Sequence, residues 1–296
     1  MGKDEGWKVY FQDNYRCADL INGIGCNGEQ VVKPSDLKDE DPTLHKRSRD
    51  ILRKVALGTS FMIIGIENQE KMDYELALRN MIYDATDYEK QLRKIQKQVR
   101  AEIGVTTGEY MYGFKKDSKL KPLATFVLYA GKEPWDGPYC LHDMLDFTDI
   151  PNSLKNIVSD YKINIIDIRK FENTNVFRSD LKQVFNFIRY SDDKEKLLNL
   201  IENDAYYRAM DKEAYEVVTK YSNSKELVKE KDYTTDGGKK DMCKAIQDLM
   251  ADSKEEGREE AFLTAARNLL DILSDEVISE KIGLSIQQVQ ELRETK

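Results

Sequence analysis

The sequence predicts an α/β fold, because short apolar runs typical of strands are followed by long segments of helical periodicity. Residues 123–129 (LATFVLY) and 163–168 (INIIDI) are almost wholly apolar, as expected for strands that are buried on both faces. Between residues 72 and 100 the apolar positions recur at helical spacing, which indicates one long helix or two. With 40% hydrophobic and 34% charged residues, the composition is that of a globular protein rich in solvated helices.

A β-hairpin is predicted before the long helix. Residues 46–57 alternate in the manner of a strand, residues 58–60 supply a turn, and residues 61–69 (FMIIGIENQ) form a second strand that is apolar until its polar end. With the turn at this place, Asp50 and Glu67 come roughly opposite one another on the two arms.

The remaining segments follow from glycine, proline and apolar spacing. Residues 15–22 read as a short helix, which a Gly-rich stretch ends before a short β-like run at residues 30–32. Residues 104–121 are rich in Gly, Lys and Tyr and are predicted to form a loop. From residue 180 onward the pattern is helical, and a last helical region is expected to start at Asp241.

Several classes of metal site are disfavoured by composition. The four cysteines are scattered without Cys-x-x-Cys spacing, and the chain has only two histidines, so zinc sites and disulfide frameworks are hard to build. Any bound metal must be held mainly by oxygen, which favours hard cations such as Mg²⁺ or Mn²⁺. Mg²⁺ commonly sits on one or two carboxylates and a substrate phosphate, so phosphate chemistry is expected.

The net charge of −8 at first argues against a nucleic-acid partner, but the acids are unevenly distributed. Residues 191–296 hold 25 of the 54 acidic and 17 of the 46 basic residues, which leaves 29 of each in residues 1–190. A predicted basic helix face could follow a DNA backbone: Lys90, Arg93, Lys94, Lys97 and Arg100. A second basic patch follows it: Lys115, Lys116, Lys119 and Lys121.

No segment has the length and apolarity of a signal peptide or a membrane span, since the longest strongly apolar run covers only residues 61–66. We therefore expect a cytoplasmic protein with no membrane partner.

The polar end of the hairpin carries the residues best suited to hydrolytic chemistry. Asp50 and Glu67, on adjacent strands, can hold a divalent metal, and the backbone carbonyl of Asn68 can add a further ligand. Gln69 and Lys71 share the face of Glu67 if the strand extends that far. A carboxylate at a strand end is often only a solvated cap, but a charge that ends so apolar a strand is costly unless it is coordinated or paired.

Three blocks of the sequence, in this order, resemble the family of recombination-promoting nucleases and transposases, a branch of the PD-(D/E)XK nucleases. The blocks are YRCADLINGIGCNGEQVVKPSDL, GIENQEKMDYELALRNMIYDATDY and LYAGKEPWDGPYCLHDML. The segment KEEGREEAFLTAARNLLDILSDEVISEKIGLSIQQVQELRE is similar to the tail of that family. The resemblance covers most of the chain.

The resemblance implies a restriction-endonuclease-like mixed sheet flanked by helices, a Mg²⁺ or Mn²⁺ cofactor, and DNA endonuclease activity linked to recombination, transposition or defence. By position, Asp50 and Glu67 match the motif acids, Gln69 matches the place of the motif lysine, and Asp19 matches a weaker helical acidic position. A lysine at this position would orient the attacking water through its positive charge, whereas a glutamine can only hydrogen-bond the water. Lys71 could supply the missing positive charge. The alternative is a catalytically impaired DNA-binding or regulatory relative that keeps the nuclease fold.

The expected organisation is a nuclease core in residues 1–190 and a helical extension in residues 191–296. Near the end, residues 275–281, Gly283 and residues 285–292 outline two short helices around a turn, which is the pattern of a helix-turn-helix. The second helix is poor in base-reading cations, so a homo-oligomerisation or packing module competes equally with a DNA-reading one.

Overall fold

The structure is a computed structural model that describes residues 3–39, 50–58, 60–221, 233–235 and 237–294. The chain divides into two compact units: residues 1–203 together with 211–223, and residues 204–210 together with 224–296. Compactness assigns no function to either unit, so the expected nuclease boundary at residue 190 remains a prediction.

A five-stranded mixed sheet forms the centre of the first unit, with the strands in the order β1-β2-β3-β4-β5. β1, β2 and β3 pair antiparallel, whereas β3, β4 and β5 pair parallel. The strands are β1 Leu37–Asp39, β2 Ile51–Leu57, β3 Ser60–Gln69, β4 Leu123–Tyr129 and β5 Asn164–Asp167. The α/β class and the mixed sheet are thereby confirmed.

The predicted hairpin is formed by β2 and β3. Ile51 lies opposite Ile66 and Leu57 lies opposite Ser60, so the turn falls between Leu57 and Ser60, as the sequence indicates. One step beyond the first pair, Asp50 and Glu67 come to the same end of the hairpin. The beginning of the predicted first strand, residues 46–49, lies outside the described residues.

The long helical segment after the hairpin is a single helix, α3. The helices described in the first unit are α1 Lys3–Tyr10, α2 Asn14–Leu20, α3 Leu76–Ala101, α4 Thr107–Tyr112, α5 Asn152–Lys155, α6 Leu181–Tyr190, α7 Lys194–Asn203 and α8 Lys212–Tyr221. A π-helical turn, Ile21–Gly25, continues α2 into the Gly-rich stretch.

Two predictions from the sequence were wrong. Residues 30–32 do not form a strand, because the backbone N–H groups of Val31 and Val32 donate to the side chain of the buried Asn22, at 3.1 and 2.8 Å. The predicted loop at residues 104–121 contains α4, because Thr106 and Glu109 form a reciprocal cap at its first turn.

Helices cover both faces of the sheet. On the face of Glu67, a cluster of Leu76, Val127, Tyr129 and Trp135 joins α3 to β4. On the other side of the unit α1 packs on α8, where the buried Trp7 Nε1 donates to Tyr221 Oη at 2.9 Å. In β3 the residues from Ile63 to Asn68 are buried, and Gln69 at the polar end is partly exposed.

The second unit is helical in its described part, with α9 Met242–Leu269, α10 Asp275–Ile282 and α11 Ile286–Glu294. The helical region expected from Asp241 is confirmed, and Asp241 caps α9 by accepting from Lys244 N. The two predicted short helices are also confirmed, with Gly283 in the left-handed conformation between them. In the described ranges, no helix is long and apolar enough to cross a membrane.

Candidate active site at the end of the central strand

The polar residues Glu67, Asn68 and Gln69 end β3, where the strand pairs in parallel with β4. In α/β sheets, ligands commonly bind outside the carboxyl ends of the parallel strands. Glu67 is only 7% exposed, so its charge needs a partner.

That partner is Arg79, one turn inside α3. Its Nη2 donates to Glu67 Oε1 at 2.5 Å and to Gln69 Oε1 at 3.2 Å, and its Nη1 pairs with Asp73. Burial alone would lower the pKa of Arg79, but the neighbouring charges of Glu67 and Asp73 outweigh burial and raise it. One guanidinium therefore links the end of the central strand to the start of the long helix.

Gln69 is held at both ends of its amide. Its Oε1 accepts from Arg79, and its Nε2 donates to the backbone carbonyl of Lys71 at 2.6 Å. β3 ends at Gln69, so the condition under which Lys71 would continue the face of Glu67 is not met. Lys71 is exposed in the turn that follows the strand.

Asp50 lies beside Asn68. Its Oδ2 accepts from the Asn68 backbone N at 3.0 Å and from Asn68 Nδ2 at 3.5 Å, while its Oδ1 pairs with Lys8 Nζ of α1 at 3.2 Å. The structure therefore brings Asp50 into contact with the residue that directly follows Glu67. Each carboxylate is also paired with a cation of the protein, Lys8 for Asp50 and Arg79 for Glu67.

The donors at this end of the sheet fit a hard cation in their chemistry. Asn68 Oδ1 is a buried oxygen that accepts no hydrogen bond from the described residues, and the same amide touches Asp50. Within the described ranges, no three carboxylate, histidine or cysteine side chains are grouped as a metal site. The residue types at this end of the sheet, two carboxylates and an amide, are ones that Mg²⁺ accepts when water and phosphate complete its shell.

Asp19 is buried in α2 and accepts four hydrogen bonds, all from Arg178 and Ser179 before α6. Its Oδ2 accepts from Ser179 N at 2.7 Å and from Ser179 Oγ at 2.6 Å. These contacts tie α2 to the start of α6. They give the carboxylate a structural task that does not depend on Asp50 or Glu67.

The predicted DNA-contacting residues differ in their partners. Lys90 pairs with Asp87 at 2.9 Å and Arg93 pairs with Glu89 at 2.7 Å. Arg100 donates to the backbone carbonyls of α4. Lys94 and Lys97 are exposed and have no carboxylate partner in the part of the chain that the structure describes. In the second patch Lys115 pairs with Glu102 at 2.8 Å.

Sequence reasoning missed the two cations of the site, Lys8 and Arg79. Lys8 lies more than forty residues before Asp50 in the chain, and no local pattern connects them. Arg79 carried a detectable signal, because it lies in the helix that directly follows Glu67 and Gln69 and falls on its sheet-facing side.

The structure is thus an α/β protein with a mixed sheet, whose central strand ends beside two carboxylates and an amide and is followed by a helix with exposed lysines. Residues 39–214, more than half of the chain, match the model of the family described as "Putative transposase, YhgA-like", and the chain belongs to that family. Membership indicates a role related to transposition and implies interaction with DNA. No curated protein and no solved structure matches the chain.

Proposed function

We propose that the protein is a divalent-metal-dependent DNA endonuclease of the PD-(D/E)XK type, whose active site is the polar end of the β2–β3 hairpin. The observation that supports this most directly is the meeting of Asp50 with the Glu67–Asn68 end of β3, in a member of a transposase family. A role in recombination, transposition or defence against mobile elements follows from that activity and from the family.

Asp50 and Glu67 would hold Mg²⁺ or Mn²⁺, with an oxygen of Asn68 as a further ligand through its backbone carbonyl or its buried Oδ1. When bound, such a cation neutralises developing charge on the phosphate and lowers the pKa of an attacking water. Lys8 and Arg79, which pair with the two carboxylates, keep the acids at one end of the hairpin and oppose their mutual repulsion.

Gln69 takes the position of the motif lysine and can only hydrogen-bond the water. We assign the positive charge of this position to Arg79, because its guanidinium contacts both Glu67 and Gln69. A guanidinium remains charged at every working pH and can donate to a phosphate oxygen. Lys71 lies outside the strand and has no such contact with Glu67 or Gln69 through its side chain.

The long helix would carry the DNA backbone away from the site. Lys97 follows Arg79 by about five full turns of α3, so the two side chains leave the helix in the same direction. Lys94, one turn earlier, flanks the same side. Since neither lysine is neutralised by a carboxylate of the described residues, both are suited to phosphate contacts. Lys90, Arg93 and Arg100 would contribute as well, although each already contacts another group of the protein.

Plasmid cleavage tests the activity. Purified protein with Mg²⁺ or Mn²⁺ should nick or linearise supercoiled DNA, and Asp50→Ala or Glu67→Ala should abolish this because each removes a metal ligand. Glu75→Ala is the matched control, since Glu75 is an exposed acid just before α3 that makes no side-chain cap to the helix. Full cleavage activity of a folded Asp50→Ala or Glu67→Ala variant would refute the assignment of these residues as metal ligands.

A DNA-binding relative without catalysis is the second candidate function. It is favoured by one observation, namely that both carboxylates are already paired with protein cations, Lys8 and Arg79. Titration calorimetry with Mn²⁺ separates the two functions. The endonuclease should bind the metal in a manner that Glu67→Ala removes, whereas the inactive relative should bind DNA and show no such metal binding.

A further inference from the structure

Four large apolar side chains near the end of α3 and on α4 are exposed to solvent. Ile103 is fully exposed, and Tyr110, Met111 and Tyr112 are 55%, 68% and 76% exposed. We refer to these four residues as the α4 knob. Tyr110, Met111 and Tyr112 are consecutive in the chain, and grouped exposed apolar side chains commonly mark an interaction site, because exposing them to water is costly.

The knob is built on a firmly held element. Thr106 and Glu109 close the first turn of α4 with a reciprocal cap, and Arg100 donates to the carbonyls of Tyr110 and Met111 at 3.4 and 3.3 Å. Gly113 ends α4 in the left-handed conformation, where a Cβ would lie 2.8 Å from the side chain of Gln96. Exposure of the knob therefore does not result from a loosely attached loop.

Exposed lysines flank the knob in the chain. Four exposed lysines without carboxylate partners among the described residues lie on the same stretch of chain: Lys94, Lys97, Lys116 and Lys119. Of the nearby acids, Glu102 pairs with Lys115 and Glu109 is engaged in the helix cap, which leaves Asp117 as an exposed acid. A cleft of about 670 Å³ opens between residues 102–105 and 115–117.

Exposed tyrosines among lysines that have no carboxylate partner in the described ranges match one class of ligand, a polyanion that also presents flat aromatic faces. A second copy of this surface would bring lysines against lysines, which is unfavourable. We propose that the α4 knob binds DNA with unpaired bases, the tyrosines stacking on bases while the lysines contact phosphates. This rests only on the DNA partner of the proposed function and requires no metal chemistry.

The position of the knob suggests its use. Leu123, the first residue of β4, donates to Tyr88 Oη, so the last turns of α3 extend past that end of the sheet. Arg100, which holds α4, lies about 31 Å along α3 from Arg79 at a rise of 1.5 Å per residue. With duplex DNA between the two places, a single-stranded segment held by the knob would therefore lie about nine base pairs from the candidate active site, at about 3.4 Å of helix axis per base pair.

The test is fluorescence anisotropy of a labelled single-stranded DNA of about 20 nucleotides, which exceeds the roughly 4–16 nucleotides that such binding sites cover, with EDTA present so that no cleavage occurs. Tyr110→Ala/Tyr112→Ala should weaken binding roughly 10-fold or more, because each base–aromatic stack contributes substantially. Tyr110→Phe/Tyr112→Phe should bind like the parent, since the rings are kept. Tyr139→Ala is the matched control, because Tyr139 is also 55% exposed and lies away from α4 in the chain. In the Tyr110→Ala/Tyr112→Ala variant, the affinity for duplex DNA should fall less than the affinity for single-stranded DNA.

Parental affinity of a folded alanine variant for single-stranded DNA would overturn the proposal. It would also be overturned if the alanine variant bound DNA normally and instead lost self-association in sedimentation velocity, since the knob would then contact a second copy. Failure of the proposed nuclease is distinguishable, because it would leave DNA binding in EDTA intact while plasmid cleavage with Mg²⁺ is absent.

Discussion

Replacing Arg79 by methionine should destabilise the first unit far more than the same replacement at Arg93, although both arginines lie on α3. Methionine keeps the length and helix propensity of the side chain and removes only the guanidinium. At Arg79 the variant removes the ion pairs with the buried Glu67 and with Asp73 and the hydrogen bond to Gln69. At Arg93 it removes only an exposed pair with Glu89.

The expected magnitudes follow from exposure. Loss of one partner of a buried ion pair costs about 3–5 kcal/mol, but the Arg79 side chain is 31% exposed, so solvent compensates part and we expect about 2 kcal/mol. The Arg93 side chain is 73% exposed, and exposed pairs one turn apart in a helix contribute about 0.3–0.5 kcal/mol. The two variants should therefore differ by roughly 1.5 kcal/mol.

Tryptophan fluorescence during urea unfolding measures this difference in the right part of the chain. The two tryptophans, Trp7 and Trp135, both belong to the first unit, so their emission does not report on the helical second unit. With a denaturant slope of about 2 kcal/mol/M, Arg79→Met should lower the midpoint by about 1 M and Arg93→Met by about 0.2 M. Equal midpoints would refute the importance of the Arg79 contacts.

The same variant also tests whether Glu67 binds metal. Removing the guanidinium beside Glu67 leaves its negative charge available, so Mn²⁺ should bind more tightly to Arg79→Met than to the parent in titration calorimetry. Cleavage should nevertheless fall, since the positive charge assigned to the reaction is lost. Unchanged Mn²⁺ affinity would show that the metal does not sit on Glu67.

Three further variants have defined outcomes. Because β3 ends at Gln69, the Lys71→Ala variant should nick plasmid faster than the Gln69→Ala variant. The reverse order would indicate that Lys71 supplies the positive charge of the site. The double variant Lys94→Gln/Lys97→Gln should reduce the slope of log affinity against log salt by about two units for any DNA sequence. Its Mn²⁺ binding should be unchanged. A slope equal to that of the parent would show that these two lysines do not contact DNA. Asp19→Asn should lower the urea midpoint without changing the metal dependence of cleavage, because Asp19 serves backbone donors. A stable but inactive Asp19→Asn protein would contradict this.

The elements were predicted well where the pattern is local. The hairpin turn, β4, β5 and the long helix each follow from apolar periodicity within a dozen or so residues, and the structure confirms them. The strand expected at residues 30–32 was wrong because one buried side chain, Asn22, takes the hydrogen bonds that a strand partner would have provided. Local pattern cannot report a competing side chain.

The candidate site was predictable only in part. The approach of Asp50 to the end of β3 depends on a two-strand register, which the turn determines, and the sequence therefore indicates it. The ion pairs with Lys8 and Arg79 depend on how α1 and α3 pack on the sheet, and a single sequence carries no periodicity for such packing. The roles of all these residues remain predictions until the variants are measured.

The mixed sheet also has a consequence for the order in which the chain folds. β2 and β3 are joined by a tight turn and can pair in about 1–10 μs, whereas β4 is separated from β3 by more than fifty residues and must wait for a much larger loop to close. During synthesis the acidic end of the hairpin therefore forms before β4 has left the ribosome. In that interval the apolar β3 presents an open edge to other chains, which makes the nascent protein prone to aggregation at the strand that carries Glu67.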